Sequence, residues 1–421
     1  MRAVHILFFT DNFPPETNAP ASRTFEHARL WTRAGEQVTV VTCAPNFPAG
    51  KVFPGYRNRL FQREVMEGIE VRRVWSYITA NEGFLKRSLD YASYMASASL
   101  AAPFVRKVDV VVATSPQFFT ACAGALAARM LRRPFVFELR DLWPESIRAV
   151  GAMANERVLG ALERLELFLY RQAEAVVSVT ESFRRNLISR GVDGDKVHVV
   201  TNGADLGLFA PRGRDEALAE RLGLSGAFVV GYVGTHGMAH ALETVLTAAA
   251  RLGADPATAH VRFLFLGDGA AKKSLKAEAE AAGLTNVLFL DSVPRAEVGR
   301  YWSLLDASVI HLRRADLFET VIPSKLFECM AMGVPVLHGV RGESAAIVER
   351  EGVGLVFEPE DPAALCEAVT ALAGRPELRQ RLSGRGPEAA VRYDRTALAD
   401  RMLGVLRAAA GQTPFTPELA A

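Results

Sequence analysis

The sequence predicts an α/β protein made of two tandem, Rossmann-like doubly wound domains that face a central cleft. Three observations lead to this fold class. The chain has 421 residues, which is too long for one ordinary core. Short β-branched runs bounded by turn residues alternate with longer stretches of helical periodicity, as in parallel sheets with crossover helices. The alternation restarts after Asn202-Gly203, so the second half repeats the organisation of the first.

The first half supplies a full set of alternating elements. Its predicted strands are Val4–Thr10, Val38–Thr42, Val108–Thr114, Phe135–Leu139, Ala175–Val179 and Val197–Val200. Its predicted helices are Ser22–Ala34, Thr120–Leu131, Glu156–Arg171 and Ser182–Arg190. We assign residues 1–205 to the first domain.

The second half continues the pattern and then changes character. Its predicted strands are Phe228–Val233, Val261–Leu266, Val287–Leu290, Ala307–Ile310, Val334–Leu337 and Leu355–Phe357. The boundary is placed near Ala204–Arg214, because Pro211 and Gly213 interrupt both periodicities. Residues 206–390 form the second domain. Arg375–Leu406 predicts two helices without a following strand, so residues 391–421 are expected to be a helical tail that crosses back to the first domain.

Composition and charge exclude several classes of protein. The net charge of +2 is not that of a nucleic-acid-binding protein. No run approaches the roughly 18–20 apolar residues of a membrane span, and the chain enters a strand at Val4 without a leader, so we expect a cytoplasmic protein. The histidines and the scattered cysteines lack metal-ligand spacing, so we expect no metal and no cofactor.

The most specific local pattern spans residues 323–336. Pro323 suits a first helical turn, Gly333 suits the residue after the last turn, and a strand follows. Free amides and the helix dipole at such an N-terminus attract phosphate. Lys325 would add a mobile positive charge, and Glu328, about one turn further on, could accept two hydrogen bonds from a ribose diol. A helix start with a solvated lysine and glutamate explains the same pattern.

Two glycine-containing loops follow predicted strands of the second domain. Gly234-Thr235-His236-Gly237 comes after residues 228–233, and Gly267-Asp268-Gly269 comes after residues 263–266. Glycines there allow backbone amides to approach a diphosphate closely. Either loop alone also fits an ordinary tight turn. Together with the helix at Pro323, they indicate a phosphate site.

These motifs resemble those of the family-4 retaining glycosyltransferases of the GT-B fold, and the resemblance extends over nearly the whole chain. The matching segments are Asp11–Glu16, Thr201–Asp205, Gly267–Gly269, Val287–Val293, Leu305–Ser308, Lys325–Gly333, Glu349–Val356 and Asp361-Pro362. The segment Glu138–Ser146 is similar to a subgroup that acts in bacterial surface-polysaccharide assembly, of the O-antigen or capsule type.

The resemblance implies a nucleotide-sugar donor, with a UDP-sugar favoured, in the second domain and a glycan or lipid-linked acceptor in the first. It also implies that Glu328 holds the donor ribose as the second glutamate of the family's Glu-x7-Glu motif. The first glutamate would fall at Thr320, and Glu319 stands one residue earlier. The donor-binding positions are Gly234, Thr235, Gly267, Val293, Ser324, Lys325, Leu326 and Glu328. The catalytic candidates are Asp141, Lys325 and Glu319, and the acceptor-side candidates are Asn18, Arg140 and Asp141.

The sequence departs from the family in its positive charges. The usual Arg and Lys in the loop after the first strand of the second domain are missing, and residues 234–243 offer only His236 and His240. We therefore assign the diphosphate charge to Lys325, with Lys272 or Lys273 as a weaker second. In such enzymes the leaving phosphate itself takes the acceptor's proton. Asp141 is our candidate for orienting the acceptor hydroxyl, and it also fits a helix N-cap.

Two further segments leave alternatives open. Residues 84–107 carry basic residues at both ends of an apolar middle, which suits a helix on the anionic inner face of a membrane or, equally, a buried helix pair with charged ends. Asp193-Gly194-Asp195 imitates a metal-binding DxD, but it precedes a strand and we favour a turn.

Three functions fit the resemblance. The leading one is sugar transfer from a nucleotide diphosphate donor to a lipid-linked or other cell-envelope glycan. The second is a nucleotide-sugar epimerase, because such isomerases share the GT-B architecture. The third is a catalytically silent subunit that binds sugar nucleotides, which Thr320 and the missing Arg/Lys pair suggest.

Overall fold

The computed structural model describes residues 2–16, 18–47, 49–79, 84–145, 148 and 155–412. Ser146 of the polysaccharide-type segment and residues 413–421 of the expected tail lie outside the described residues. The chain divides into two compact units: unit 1 comprises residues 1–201 and 396 onward, and unit 2 comprises residues 202–395. The sequence places these divisions at 205/206 and 390/391. The first of them was placed from Pro211 and Gly213, which lie in a loop inside unit 2.

Unit 1 is built on one sheet. The described strands are β1 (His5–Phe9), β2 (Gln37–Cys43), β3 (Phe61–Met66), β4 (Ile69–Val74), β5 (Val110–Thr114), β6 (Phe135–Leu139), β7 (Ala175–Ser178) and β8 (Val197–Val199). Their order is β3-β4-β2-β1-β5-β6-β7-β8, and only β3 is antiparallel to its neighbour. The described helices are α1 (Ala19–Arg33), α2 (Phe84–Ala101), α3 (Phe118–Leu131), α4 (Glu156–Gln172) and α5 (Glu181–Ser189). The predicted α/β class is confirmed for this half.

The hairpin β3–β4 is absent from the sequence prediction. Arg63 and Glu64 lie inside β3, and every second residue of that strand is exposed, so no apolar run marks it. The turn uses Glu67 and Gly68, whose φ angles of 50° and 84° match the two positive φ values of a type I′ hairpin turn. An edge strand of this kind carries too weak an apolar signal to be found from sequence.

Unit 2 contains an all-parallel sheet. The described strands are β9 (Phe228–Val233), β10 (Val261–Leu266), β11 (Val287–Leu290), β12 (Ala307–His311), β13 (Val336–Gly339) and β14 (Gly354–Val356). Their order is β11-β10-β9-β12-β13-β14. The described helices are α6 (Glu216–Arg221), α7 (Glu243–Ala254), α8 (Lys272–Ala281), α9 (Val298–Trp302), α10 (Asp316–Glu319), α11 (Lys325–Met332), α12 (Glu343–Glu351), α13 (Pro362–Gly374) and α14 (Pro376–Ala390). The prediction of a second α/β unit is confirmed.

Helix α11 is held firmly in unit 2. Leu326 and Phe327 are fully buried, and Gly333 ends the helix in the left-handed conformation at φ 67°. Helix α14 packs directly on it: a Cβ at Gly386 would lie 2.7 Å from the Met330 carbonyl oxygen. The N-terminal turn of α11 therefore has a fixed place beside the carboxyl ends of the strands.

The last described helix, α15 (Arg395–Ala409), belongs almost entirely to unit 1. The indole Nε1 of Trp31 donates to the Ala399 carbonyl at 2.8 Å, and Met402 and Leu406 are buried in the same core as Trp31. This buried apolar face attaches the C-terminal helix to the first sheet.

Candidate functional site

Two glycine loops of unit 2 touch each other through their backbones. Gly234 and Gly267 follow β9 and β10 with φ angles of +128° and +144°, which other residues rarely adopt. A Cβ at Gly267 would lie 2.0 Å from the Gly234 carbonyl oxygen, and the Gly234 amide donates to the Leu266 carbonyl at 2.8 Å. A side chain at Gly267 would push the loops apart, and Gly234 is favoured by its positive φ angle.

Lys325 reaches these loops from the first turn of α11. A Cβ on Gly234 would stand 2.3 Å from Lys325 Cε, so the lysine stem runs directly beneath that glycine. The ammonium Nζ donates to the Tyr232 hydroxyl at 2.6 Å and lies 4.0 Å from the centre of the Tyr232 ring. Burial lowers the pKa of Lys325 to about 8, while the Glu328 carboxylate acts in the opposite direction. The structure thus holds this cation in place, in contrast to the mobile lysine expected from sequence.

The two histidines of the same loop are neutral near pH 7. Burial, assisted by nearby lysines, lowers the pKa of His236 to about 4, and burial together with Lys325 lowers the pKa of His240 to about 3. The His236 side chain is fully buried, and neither ring nitrogen has a hydrogen-bond partner among the described residues. These histidines therefore bring no positive charge to the loop at neutral pH.

Lys272 and Lys273, the weaker candidates for the diphosphate charge, have different environments. Lys272 Nζ donates to the Gly267 carbonyl at 2.7 Å, to the Leu290 carbonyl at 2.9 Å and to Asp291 at 2.6 Å. Lys273 is exposed at the start of α8. Lys272 supports the Gly267 loop from within, which no sequence pattern indicated.

The remaining donor-side candidates surround α11 and the sheet edge. Ser324 and the half-buried Glu328 flank the first turn of α11, and Thr235 accepts a 2.7 Å hydrogen bond from the Tyr232 hydroxyl on its carbonyl. Leu326 is buried in the core, and its amide donates to the Pro323 carbonyl at 3.0 Å. Val293 lies beyond β11 and packs against the core.

Glu319 and Thr320 lie at the end of α10. The Thr320 hydroxyl donates to the Leu317 carbonyl at 2.7 Å, so it completes a local turn. The Glu319 carboxylate lies 4.0 Å from the Arg341 guanidinium. A Cβ at Gly342 would stand 2.0 Å from the Glu319 carbonyl oxygen, which fixes this segment against the loop before α12.

In unit 1, Arg140 and Asp141 directly follow β6. Their amides donate to Ser115 Oγ, which follows β5, at 2.7 and 3.2 Å. The buried Glu138 bonds Arg23 at 2.9 Å. Burial favours a higher pKa for Glu138, but the guanidinium groups of Arg23 and Arg140 hold that pKa below its usual value. The turn after β6 is thus fixed by both hydrogen bonds and charge.

Asn18, the third acceptor-side candidate, caps α1 and begins a hydrogen-bonded chain. Its Oδ1 accepts from the Ala21 amide at 2.9 Å, and its Nδ2 donates to Asn12 Oδ1. The Nδ2 of Asn12 in turn donates to Asp11 Oδ2 at 3.2 Å. Burial, together with the carboxylates of Asp90 and Glu16, raises the pKa of Asp11 to about 7. These side chains form a polar, acidic edge after β1.

Sequence reasoning missed Tyr232 and the special environment of Asp11. The available signal for Tyr232 was a phenol in an otherwise apolar strand, since a buried tyrosine hydroxyl needs a partner. Asp11 was noted only as part of a matching segment, because the approach of Asp90 from α2 depends on tertiary packing. Among the described residues, no group of three or more His, Cys, Asp or Glu side chains is arranged to hold a metal ion.

Two sequence families match the chain. The one described as a glycosyl transferase 4-like domain matches residues 18–203, and the one described as glycosyl transferases group 1 matches residues 227–375. WbjE of Pseudomonas aeruginosa, named as a probable glycosyltransferase, is 24% identical over 63% of this chain and 66% of its own. TuaH of Bacillus subtilis, named for teichuronic acid biosynthesis, is 25% identical over 56% of this chain and 58% of its own. The chain thus spans less than two thirds of the length of these relatives.

Solved structures share the fold over nearly the whole chain. Sucrose-phosphate synthase of Thermosynechococcus elongatus superposes with a TM-score of 0.76 at 16% identity, covering 97% of this chain and 100% of that one. Anabaena HepE, solved with UDP-glucose, superposes with a TM-score of 0.70 at 16% identity, covering 96% and 99%. At this identity the likeness establishes the architecture.

Proposed function

We propose that this chain, which belongs to the glycosyltransferases of the GT-B fold, transfers a sugar with retention from a nucleotide diphosphate donor to a lipid-linked or other cell-envelope glycan. The observation that carries the proposal is the Lys325 ammonium beneath the touching Gly234 and Gly267 loops. A UDP-sugar is the favoured donor, since HepE was solved with UDP-glucose. The envelope acceptor is supported by the name of TuaH.

Sugar transfer from this donor requires that the leaving nucleotide diphosphate be stabilised as the glycosidic bond breaks. Backbone amides and a fixed cation that face the developing negative charge supply it without reorganisation. Unit 2 offers the cation in Lys325. The Gly234 and Gly267 amides already donate to the Leu266 and Leu290 carbonyls, so these glycines serve the close packing of the loops and the lysine. We assign the ribose to Glu328. The leaving phosphate takes the acceptor's proton, and Asp141 orients the acceptor hydroxyl.

A donor screen tests the proposal. Purified full-length protein is incubated with UDP- and GDP-sugars, with and without envelope glycan or lipid-linked acceptors, and released nucleotide is measured. Acceptor-dependent release of UDP is the expected result. Formation of an epimer from donor alone identifies an isomerase, and nucleotide binding without release under any acceptor identifies a silent subunit; either result contradicts transfer.

We propose that the reaction needs no divalent metal and no cofactor. The proposal rests on the sequence, which lacks metal-ligand spacing, and on Lys325 as a protein-borne cation beside the Gly234 loop. Full activity in excess chelator is expected. Activity lost in chelator and restored by magnesium or manganese contradicts it and returns attention to Asp193-Gly194-Asp195.

We propose that unit 1 attaches to the inner face of the membrane through residues 84–107. Among the described residues, none of the helices is both long and apolar enough to cross a bilayer. Helix α2 buries Tyr94 and Ala98, whereas Leu100 and Phe104 on and just after it are 69% and 74% exposed. The basic residues at its two ends are exposed: Lys86, Arg87, Arg106 and Lys107. One face is therefore buried, and the other has the apolar stripe and basic ends that suit an anionic surface.

Vesicle sedimentation tests the attachment. Binding to anionic vesicles at low salt, weakening as salt rises, is expected, and Leu100→Ser with Phe104→Ser should abolish it. The matched control is Ile188→Ser, which removes an exposed apolar side chain from α5 of the same unit and should bind as the wild type does. Equal binding to neutral vesicles, or none to either, contradicts the proposal.

A further inference from the structure

Tyr232 occupies a position in unit 2 that neither the sequence motifs nor the donor-side candidates include. It is the penultimate residue of β9, and its side chain is only 1% exposed. The hydroxyl donates to the Thr235 carbonyl at 2.7 Å and accepts from Lys325 Nζ at 2.6 Å. Both hydrogen-bonding functions of this phenol are therefore used, one on the glycine loop and the other on the lysine of α11.

The contact between Tyr232 and Lys325 has two separable parts. Besides the hydrogen bond to the hydroxyl, the ammonium lies 4.0 Å from the centre of the aromatic ring, within the range of a cation–π interaction. Tyr232 provides the single hydrogen-bond acceptor that the described residues offer this ammonium. Because Lys325 Cε also fills the space under Gly234, the lysine is confined from two sides.

The surroundings give this lysine unusual importance. The charged and titratable groups that face it come from β9, from the loop that follows and from its own helix: Tyr232, His236, His240, Glu328 and Cys329. The two histidines are neutral near pH 7, and the Glu328 carboxylate raises the pKa of Lys325. Lys325 is thus the cation of this group. Lys272, which also lowers the pKa of His236, has its ammonium bonded to the Gly267 and Leu290 carbonyls and to Asp291.

We propose that Tyr232 is a positioning residue for sugar transfer: its hydroxyl and ring hold the Lys325 ammonium beneath Gly234, where it would stabilise the leaving diphosphate. This inference rests on the proposed function, because it assigns Tyr232 a role through the lysine of that site. Tyr232 touches no reacting atom in this scheme. Its effect is to keep the ammonium charged and in one place before the donor bond breaks.

The substitution Tyr232→Phe separates the two parts of the contact, since it removes the hydroxyl and keeps the ring. We expect kcat to fall by about 10- to 100-fold, the scale of a lost hydrogen bond to a charged group, with the donor KM changed by less than about threefold. Without its acceptor, the half-buried ammonium is less stable, so the pKa of Lys325 should fall further below its ordinary value. The alkaline limb of the pH profile should therefore move to lower pH.

A binding measurement gives a readout that does not require the sugar to be known. The affinities for UDP and for GDP are titrated by calorimetry from about pH 6.5 to about pH 9.5, a range that spans the titration of the lysine. Wild-type affinity should weaken as pH rises through the lysine's pKa, and in Tyr232→Phe the weakening should begin at lower pH. Tyr393→Phe is the matched control, because this largely buried tyrosine of unit 2 packs on Phe327 of α11 and its hydroxyl accepts from Arg350 at 2.8 Å. The pH profiles of its activity and of its nucleotide affinity should match those of the wild type.

The outcomes separate this inference from the proposed function. If Lys325→Ala is inactive but Tyr232→Phe keeps the wild-type kcat and alkaline limb, the role of Tyr232 is refuted and sugar transfer stands. If Tyr232→Phe lowers the melting temperature and activity without moving either pH profile, the tyrosine is merely structural and the inference is also refuted. If the wild type transfers no sugar but the pH shift in nucleotide binding is present, the proposed function fails and the positioning role remains.

Discussion

The two units place opposite chemistry at equivalent edges of similar sheets. In unit 2, the loops after β9 and β10 carry glycines, and the nearby charge is the Lys325 ammonium. In unit 1, the loop after β1 carries Asp11, which is linked to Asn12 and Asn18. Ligands of such sheets bind at the carboxyl ends of the strands. The edge of unit 2 therefore suits an anion, and that of unit 1 suits neutral hydroxyl groups.

Burial has contrasting consequences at the two edges. In unit 2 it lowers the pKa of His236 and of Lys325, so the histidines lose their charge while the lysine keeps most of its own. In unit 1 it raises the pKa of Asp11 to about 7 and that of Asp90 to about 6. A second anion such as a diphosphate would be repelled there. The fold thus places a site at the sheet edge, whereas a few buried side chains determine the charge of the ligand that it can bind.

The largest expected effect tests the positive charge of unit 2. Lys325→Ala should lower kcat by about 10²- to 10³-fold, the range for losing one preorganised electrostatic contact, with a smaller loss of donor affinity. Turnover is measured at saturating donor. Lys276→Ala, which removes an exposed lysine from α8 of the same unit, serves as the control and should behave as wild type. Normal turnover by Lys325→Ala would show that Lys325 does not supply the positive charge that stabilises the diphosphate.

The next effect concerns the donor ribose. Glu328→Gln should weaken binding of UDP by about 1–3 kcal/mol, because a hydrogen bond to a charged acceptor becomes a neutral one. The affinity for UDP is measured by calorimetry at about pH 7, where an ordinary carboxylate is ionised. Glu349→Gln, on the exposed side of α12, is the control. An unchanged affinity for both UDP and GDP would show that Glu328 lies outside the nucleotide site.

A third substitution distinguishes a supporting lysine from a binding one. Lys272→Met removes the ammonium that donates to the Gly267 carbonyl, at a cost of about 1–3 kcal/mol for a buried group left unpaired, whereas the Leu290 carbonyl keeps the Gly267 amide as a donor. We expect a lower melting temperature by thermal unfolding. Asp291→Asn should be close to wild type, because that side chain is 90% exposed and surface ion pairs contribute about 0–1 kcal/mol. If Lys272→Met and Asp291→Asn lower the melting temperature equally, the ion pair between these residues, and not the hydrogen bond to the Gly267 carbonyl, stabilises the fold.

The smallest expected effect tests the acidic edge of unit 1. The folded pKa of Asp11, about 7, lies above its ordinary value of 3.8, so the folded state binds this proton more tightly than the unfolded state. Stability from this group is present below about pH 4 and is lost as pH rises to about 7. Asp11→Asn should therefore raise the melting temperature by a few degrees at about pH 8 and by less at about pH 5. Asp195→Asn, in an exposed turn, should show no such pH dependence.

Much of the architecture could be predicted because it depends on local patterns. Strands such as Phe135–Leu139 and Phe228–Val233 were found with their observed bounds, since both are nearly continuous apolar runs. The hairpin β3–β4 could not be found, because its alternating charged residues give no such run. For the site, the glycine loops and Lys325 were chosen from sequence, and the structure brings Gly234, Gly267 and Lys325 together.

The two α/β units, the two glycine loops and the helix that begins at Lys325 follow from local sequence, because periodicity, glycines and helix boundaries are encoded by neighbouring residues. The contacts of Tyr232 with Lys325, of Lys272 with the Gly267 loop and of Asp90 with Asp11 depend on packing and could not be read from local patterns. Most of these contacts join residues that are far apart in the chain. The charges of the titratable side chains in these contacts depend on burial, and burial is fixed only when the sheets and helices have packed.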